Sequence, residues 1–217
     1  MINNELQKRI LSSIILIPIA LFFIIKGSIF FNFFVIVMLF ITLYEWHFLS
    51  LKKSYYFPGF AFVFFSFYTF YYYGNESDYR IYFFLILLTC IATDIGGYVF
   101  GKILKGPKLT KISPNKTITG MFGGFLLSVI LASIYLNNLS ILSLTAKSNG
   151  EMGIQIMLIV LSISLVSQFG DLVISFFKRK SKIKNTGKII PGHGGLLDRI
   201  DGMIFAFPYA FILMKLI

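Results

Sequence analysis

The sequence predicts an all-α, polytopic transmembrane helix bundle of about seven spans with two basic cytoplasmic loops. Three observations lead there. Of 217 residues, 57% are hydrophobic and only 13% charged, where a soluble domain would carry about 25% charged residues. Mean hydropathy is +0.81. The apolar residues also fall in runs bounded by charges, and several approach the roughly 20 residues a spanning helix needs. Inside a bilayer no water can satisfy the backbone, so each run is expected to be a helix. The length fits a single integral membrane domain, 1–217.

The runs can be taken in order. Ile10 to Ile25 lies between Arg9 and Lys26, and Ser28 to Tyr44 follows; both are short and suit a tight hairpin as well as two full spans. The first has Lys8 and Arg9 ahead of an apolar stretch, as a signal peptide does. No small-x-small cleavage site follows, so an uncleaved first helix is expected. Tyr55 to Tyr73 is strongly aromatic, Tyr79 to Phe100 contains Asp94, and Thr117 to Asn137 comes next. Met152 to Gly170 ends at Asp171, and Ile200 to Ile217 closes the set.

With seven alternating spans and the N-terminus inside, sixteen of the 20 basic residues fall on the inner side. They are Lys8, Arg9, Lys52, Lys53, the five lysines from Lys102 to Lys116, and the seven basic residues from Lys178 to Arg199. The positive-inside rule therefore predicts an N-in, C-out arrangement. The net charge of +11 is then read as cytoplasmic loops with an affinity for anionic lipid or phosphate, rather than for nucleic acid. Cys90 is the single cysteine and lies in an apolar run, which rules out an intrachain disulfide. The two basic loops, Gly101 to Lys116 and Asp171 to Asp201, mix lysines with Gly, Pro, Ser and Asn.

Nine carboxylates are present. Glu5, Glu45, Glu76, Asp78 and Glu151 fall in tails, loops or near span ends, where a solvated role is the default. Asp94, Asp171, Asp198 and Asp201 lie within or at the end of apolar runs. A carboxylate at the centre of an inserting helix costs roughly 2.5–3.5 kcal/mol, and ionisable residues in spans are functional by default. A structural ion pair with a loop lysine is the alternative for Asp94, beside which Gly96 and Gly97 permit close approach of another helix. Asp198 and Asp201, three apart, would share a helix face, and clustered carboxylates favour a hard cation such as Mg²⁺. Arg199 neutralising them is the alternative. Lys178, Arg179, Lys180, Lys182, Lys184 and Lys188 stand beside a glycine-rich turn, a setting that suits polyphosphate, since cations neutralise oxygens and glycine exposes backbone N–H groups. Positive-inside retention and attraction to anionic lipid are the alternative, and the preferred reading for Lys180 and Lys182. His193 in "GHGG" has no second histidine or cysteine nearby for zinc.

"SQFGDLVISFFKRKSKIKNTGKIIPGHGGLLDRIDG", Ser167 to Gly202, resembles the signature of the phosphatidate cytidylyltransferase family, also called CDP-diacylglycerol synthases. The matching positions are Gln168, Gly170, Asp171, Ser175, Lys178, Arg179, Lys184, Pro191, His193, Gly194, Gly195, Asp198, Arg199 and Asp201. A second block, "TDIGGYVFGK" followed by "KLTKISPNKT" and Gly120, extends the resemblance over 93–202. The chain has Asn185 and Thr119 where the family usually has acids. The resemblance implies transfer of CMP from CTP to phosphatidic acid, giving CDP-diacylglycerol and pyrophosphate. It implies Asp171, Asp198 and Asp201 holding Mg²⁺, with room for a second metal ion, and Lys178, Arg179 and Lys184 neutralising the triphosphate. His193, Gly194 and Gly195 would shape the phosphate turn, and Asp94, Ser113, Lys116, Ser175 and Arg199 would contact substrate. Membrane lipids are expected partners, nucleic acid is not, and a homodimer is left open. The expected location is a bacterial cytoplasmic membrane with the site facing the cytoplasm. Two other readings stand beside this one: a cation- or proton-coupled transporter built on Asp94 and Asp171, and a family member weakened by its two neutral replacements.

Overall fold

The computed structural model describes residues 2–138, 151–192 and 194–216. Its helices run in the order α1 (Ile2–Lys26), α2 (Ser28–Ser50), α3 (Tyr56–Asn75), α4 (Arg80–Leu104), α5 (Ile118–Asn138), α6 (Glu151–Lys180), α7 (Leu197–Ile200) and α8 (Met203–Leu216). A single 3₁₀ turn, Ser77–Tyr79, precedes α4. Among the described residues there are no strands, only two isolated bridges, Lys108 with Thr117 and Ile190 with Gly194.

Among the described residues, four helices are long and apolar enough to cross a membrane, against the seven spans expected: Ser28–Ser50, Ser77–Leu104, Ile118–Asn138 and Gly153–Lys180. Two more, Ile14–Lys26 and Met203–Leu216, are apolar but shorter. The third expected span is a helix of 20 residues, but its tyrosines, Pro58 and polar residues lower its apolar character. α1 and α2 are joined at Gly27, with φ of 66°, and α2 is long enough for a full span. Asp171 is not at the end of its helix. α6 continues to Lys180, so both Asp171 and Lys178 are carried on one rigid element.

Small residues set the closest approach in the bundle. On α4, a Cβ at Gly96 would stand 2.4 Å from the carbonyl oxygen of Gly123. On α5, a Cβ at Gly120 would stand 2.6 Å from the carbonyl oxygen of Gly97. Side chains are thus absent from both faces of this seam, which lets the two backbones touch, as in other membrane helix pairs built on small residues. Hydroxyls tie further pairs together. Thr93 and Ser164 join α4 to α6 at 2.7 Å, and Ser66 donates to the carbonyl of Ile204 at 2.6 Å.

Three apolar clusters fill the remaining space, one of them, with Leu85, Ala132, Leu136 and Val160, between α4, α5 and α6; the other two bear on the site. The larger packs Phe31, Phe67, Phe83 and Phe207 where α2, α3, α4 and α8 meet. The smaller, with Trp46, Leu49, Ile174, Leu197 and Ile204, joins α2 to α6, α7 and α8 directly beneath the second basic loop.

The α4–α5 seam makes a direct prediction. Gly96→Val forces backbone against side chain and will destabilise the protein by about 1–3 kcal/mol or more. The check is a lower thermal midpoint in detergent, against a near-neutral Gly153→Ala, since nothing lies within 4 Å of a Cβ at Gly153.

Candidate functional site

A cavity of about 560 Å³ opens where α4, α5, α6 and both basic loops converge. α4 contributes Asp94, Gly97 and Tyr98, α6 contributes Gln168, Asp171 and Lys178, and the last loop contributes Asp198, Arg199 and Asp201. Ser113, Asn115 and Lys116 arrive from the first loop. That loop is braced as a small hairpin: Leu109 N–H donates to the Lys116 carbonyl at 2.8 Å, and Ile118 N–H to the Pro107 carbonyl at 2.9 Å. Two sequence blocks far apart in the chain therefore line one space.

The cavity holds alternating charge. Lys116 Nζ pairs with Asp171 Oδ2, and Ser175 Oγ donates to the other Asp171 oxygen at 3.4 Å. Lys178 Nζ donates to Asp198 Oδ1 at 2.8 Å, with the two side chains only 13% and 8% exposed. The second Asp198 oxygen accepts two backbone N–H groups, Thr186 at 2.8 Å and Gly195 at 3.0 Å. Asp198 is thus fully engaged by the protein itself.

Asp201 sits in the turn between α7 and α8 and is 9% exposed. Burial pushes its carboxyl above the usual carboxylate range, the facing Asp171 adds to that, and Lys178 opposes it. Asp198 and Asp201 stand three apart on a stretch of helical backbone, since Leu196 and Asp201 flank α7 with helical φ and ψ, and both line the cavity. Their partners differ: Asp198 reaches back to the preceding loop, while Asp201 faces Asp171.

Among the described residues no three of His, Cys, Asp and Glu converge as a ready-made metal cage. The donor set does fit a sparser arrangement. Mg²⁺ is usually held by one or two carboxylates, with phosphate oxygens and waters completing its shell. Asp171 and Asp201 face one another across the cavity wall and supply such a pair. Asp198 could join only by giving up Lys178 or a backbone donor.

Other expected residues lie off the cavity. Arg179 and Lys184 are exposed and do not line it. Ser175 acts through Asp171. Gly194 and Gly195 turn toward Asp198: Gly194, at φ of 95°, has no Cβ to crowd the Asp198 carboxylate, and Gly195 donates to it. His193 lies outside the described residues. Asn185 and Thr119, the two neutral replacements, are also absent from the lining. Thr119 Oγ1 instead accepts the Gly106 N–H at 3.2 Å, pinning the first loop to α5.

Glu45 was expected to be solvated and is the clearest correction. It is 1% exposed and accepts from Thr186 Oγ1, Leu196 N–H and Leu197 N–H, each at 2.8 Å. Its position in "LYEWHFLS" held a signal that proximity to the span end obscured: an acid among apolar residues at helix spacing. Gln168, which bonds the Met121 carbonyl at 3.4 Å, and Asn115 also reach the cavity.

The same residues carry a likeness to known proteins. A family model described as the Cytidylyltransferase family matches residues 53–217. A phosphatidate cytidylyltransferase of Staphylococcus haemolyticus (strain JCSC1435) is 39% identical over 149 residues, covering 66% of this chain and 53% of that one. The protein of the same name from Bacillus subtilis (strain 168) is 39% identical over 144 residues, covering 65% and 51%. That from Staphylococcus aureus (strain COL) is 40% identical over 163 residues, covering 72% and 55%. The chain spans about half the length of these curated relatives. The match runs through every element that lines the cavity, and with it the chain belongs to the cytidylyltransferase family.

Proposed function

We propose that the chain transfers CMP from CTP to phosphatidic acid, forming CDP-diacylglycerol and releasing pyrophosphate. The observation that carries this reading is the cavity where Lys116, Lys178 and Arg199 stand among Asp94, Asp171 and Asp201. Family membership and the names of the relatives support it. In the reaction a phosphate oxygen of the lipid attacks the α-phosphorus of CTP. A new P–O bond forms, the bond from the α-phosphorus to the bridging oxygen breaks, and pyrophosphate leaves. No covalent enzyme intermediate is required, so the protein's work is positioning and charge neutralisation.

Within that scheme Lys116 and Lys178 are cations already held at the cavity by carboxylates, and they can turn to incoming phosphate oxygens. Arg199 offers a planar fork suited to two oxygens of one phosphate. Asp171 and Asp201 would hold Mg²⁺, which when bound neutralises triphosphate oxygens and stabilises the leaving group. The glycine seam leaves Gly97 and Gly120 in the lining without side chains, giving the substrates room. We place the site at the cytoplasmic face of a bacterial membrane, since both lysine-rich loops border it and the positive-inside rule puts them there. The transport reading loses its motive, because Asp94 and Asp171 share their cavity with three cations. The weakened-member reading loses weight because Asn185 and Thr119 stand off the lining.

Purified protein given CTP, phosphatidic acid and Mg²⁺ should release pyrophosphate, and a chelator should stop it. Asp201→Asn should lower the rate by about 100-fold or more, in line with losing one electrostatic contact to a phosphoryl transition state. Wild-type rates in that variant would remove Asp201 from the centre. Lys178→Met leaves Asp198 without its cation in a nearly buried setting and should destabilise the fold by about 3 kcal/mol, while Lys178→Arg should keep the thermal midpoint close to that of the parent.

A further inference from the structure

We propose that Glu45, on α2 and ahead of the family-matched residues 53–217, is a positioning residue for the transfer centre, its carboxyl group fixing the turn that carries Asp198, Arg199 and Asp201. The proposal rests on the transfer reading above.

The geometry is that of a clamp. Oε1 takes the Leu196 N–H, and Oε2 takes the Leu197 N–H together with the Thr186 hydroxyl. Leu196 and Leu197 begin α7, whose orphan N–H groups receive no local side-chain cap. Glu45 therefore supplies in trans what an N-cap residue supplies locally. Among the described residues no salt bridge reaches it, so its bonds are all to this one segment.

The turn is shaped to receive the carboxyl group. A Cβ at Gly195 would stand 2.4 Å from Glu45 Oε2, and one at Gly187 would stand 2.7 Å from Oε1. Both positions are glycine, which leaves the carboxyl group its place between them. Thr186 is held twice, by its hydroxyl to Glu45 and by its N–H to Asp198. Glu45 and Asp198 thus grip one segment from opposite sides, and Lys178 is fixed through Asp198. A shift of the turn would move Asp198, Arg199 and Asp201 together, and misplacements near 1 Å can cost about 100-fold in rate.

Glutamine tests this with volume conserved. Either orientation of its amide sets an NH₂ group against a backbone N–H, Leu196 or Leu197. The full chain in lipid nanodiscs would be compared as wild type, Glu45→Gln, Glu45→Ala and Thr186→Val. Three readouts are needed: hydrogen–deuterium exchange along the chain, thermal midpoint, and kcat and KM for pyrophosphate release from CTP and phosphatidic acid. Glu45→Gln should speed exchange over residues 186–201 alone and lower kcat by about 10- to 100-fold. KM for CTP should move by less than about threefold. Thr186→Val, which removes one of the three donors, should show the same pattern more weakly. Unchanged exchange over 186–201, exchange rising evenly along the whole chain, or a retained kcat would each overturn the proposal. If Glu45→Ala fails to fold, the glutamine variant decides. A wild-type chain without transfer activity would instead overturn the function proposed above, and the exchange pattern would still decide whether Glu45 holds the turn.

Discussion

A carboxyl group withdrawn from water has to be met by donors, and the segment from Thr186 to Asp201 is arranged around that requirement. Asp198 is met by Lys178 and two backbone N–H groups. Glu45 is met by a hydroxyl and two more N–H groups. Between them they accept four backbone N–H groups of a loop that has little regular structure. The loop is consequently a fixed object, and what it carries is fixed with it. Asp201 accepts the Gly202 N–H at 3.0 Å and faces the Asp171 carboxyl group.

The glycine seam between α4 and α5 is the second constraint. Gly96 and Gly97 meet Gly120, Gly123 and Gly124 backbone to backbone. This brings the first loop, which joins the same two helices, close over α6, where Lys116 finds Asp171. Removing side chains from the seam both tightens the helix pair and opens the space beside it. Packing and cavity are two results of one choice of residue.

Much of this was legible in the sequence. The helical class followed from hydropathy, and the two lysine-rich loops could be paired because both carried motif residues. Asp94, Asp171 and Asp201 stood out as acids in apolar runs. The details that escaped depend on long-range partners. The end of α6 could not be read, because Asp171 and Lys178 look like the boundary of a span although the helix continues past both. The partners of Asp198 were not legible, because Lys178, Thr186 and Gly195 reach it from segments that its own helical spacing says nothing about. Glu45 was hidden most completely: its donors lie in a loop whose path no local pattern reveals.

The clamp on α7 also has a bearing on how the molecule comes to exist. Glu45 and Leu196 are 151 residues apart in sequence. During synthesis α2 is made long before the turn that will occupy its carboxyl group, and contacts of such separation form late. Until the segment from Thr186 to Leu197 is made, Glu45 has none of its three donors. A chain interrupted before that segment would keep the Glu45 carboxyl group without these donors, a chemical mark by which an unfinished copy differs from a finished one.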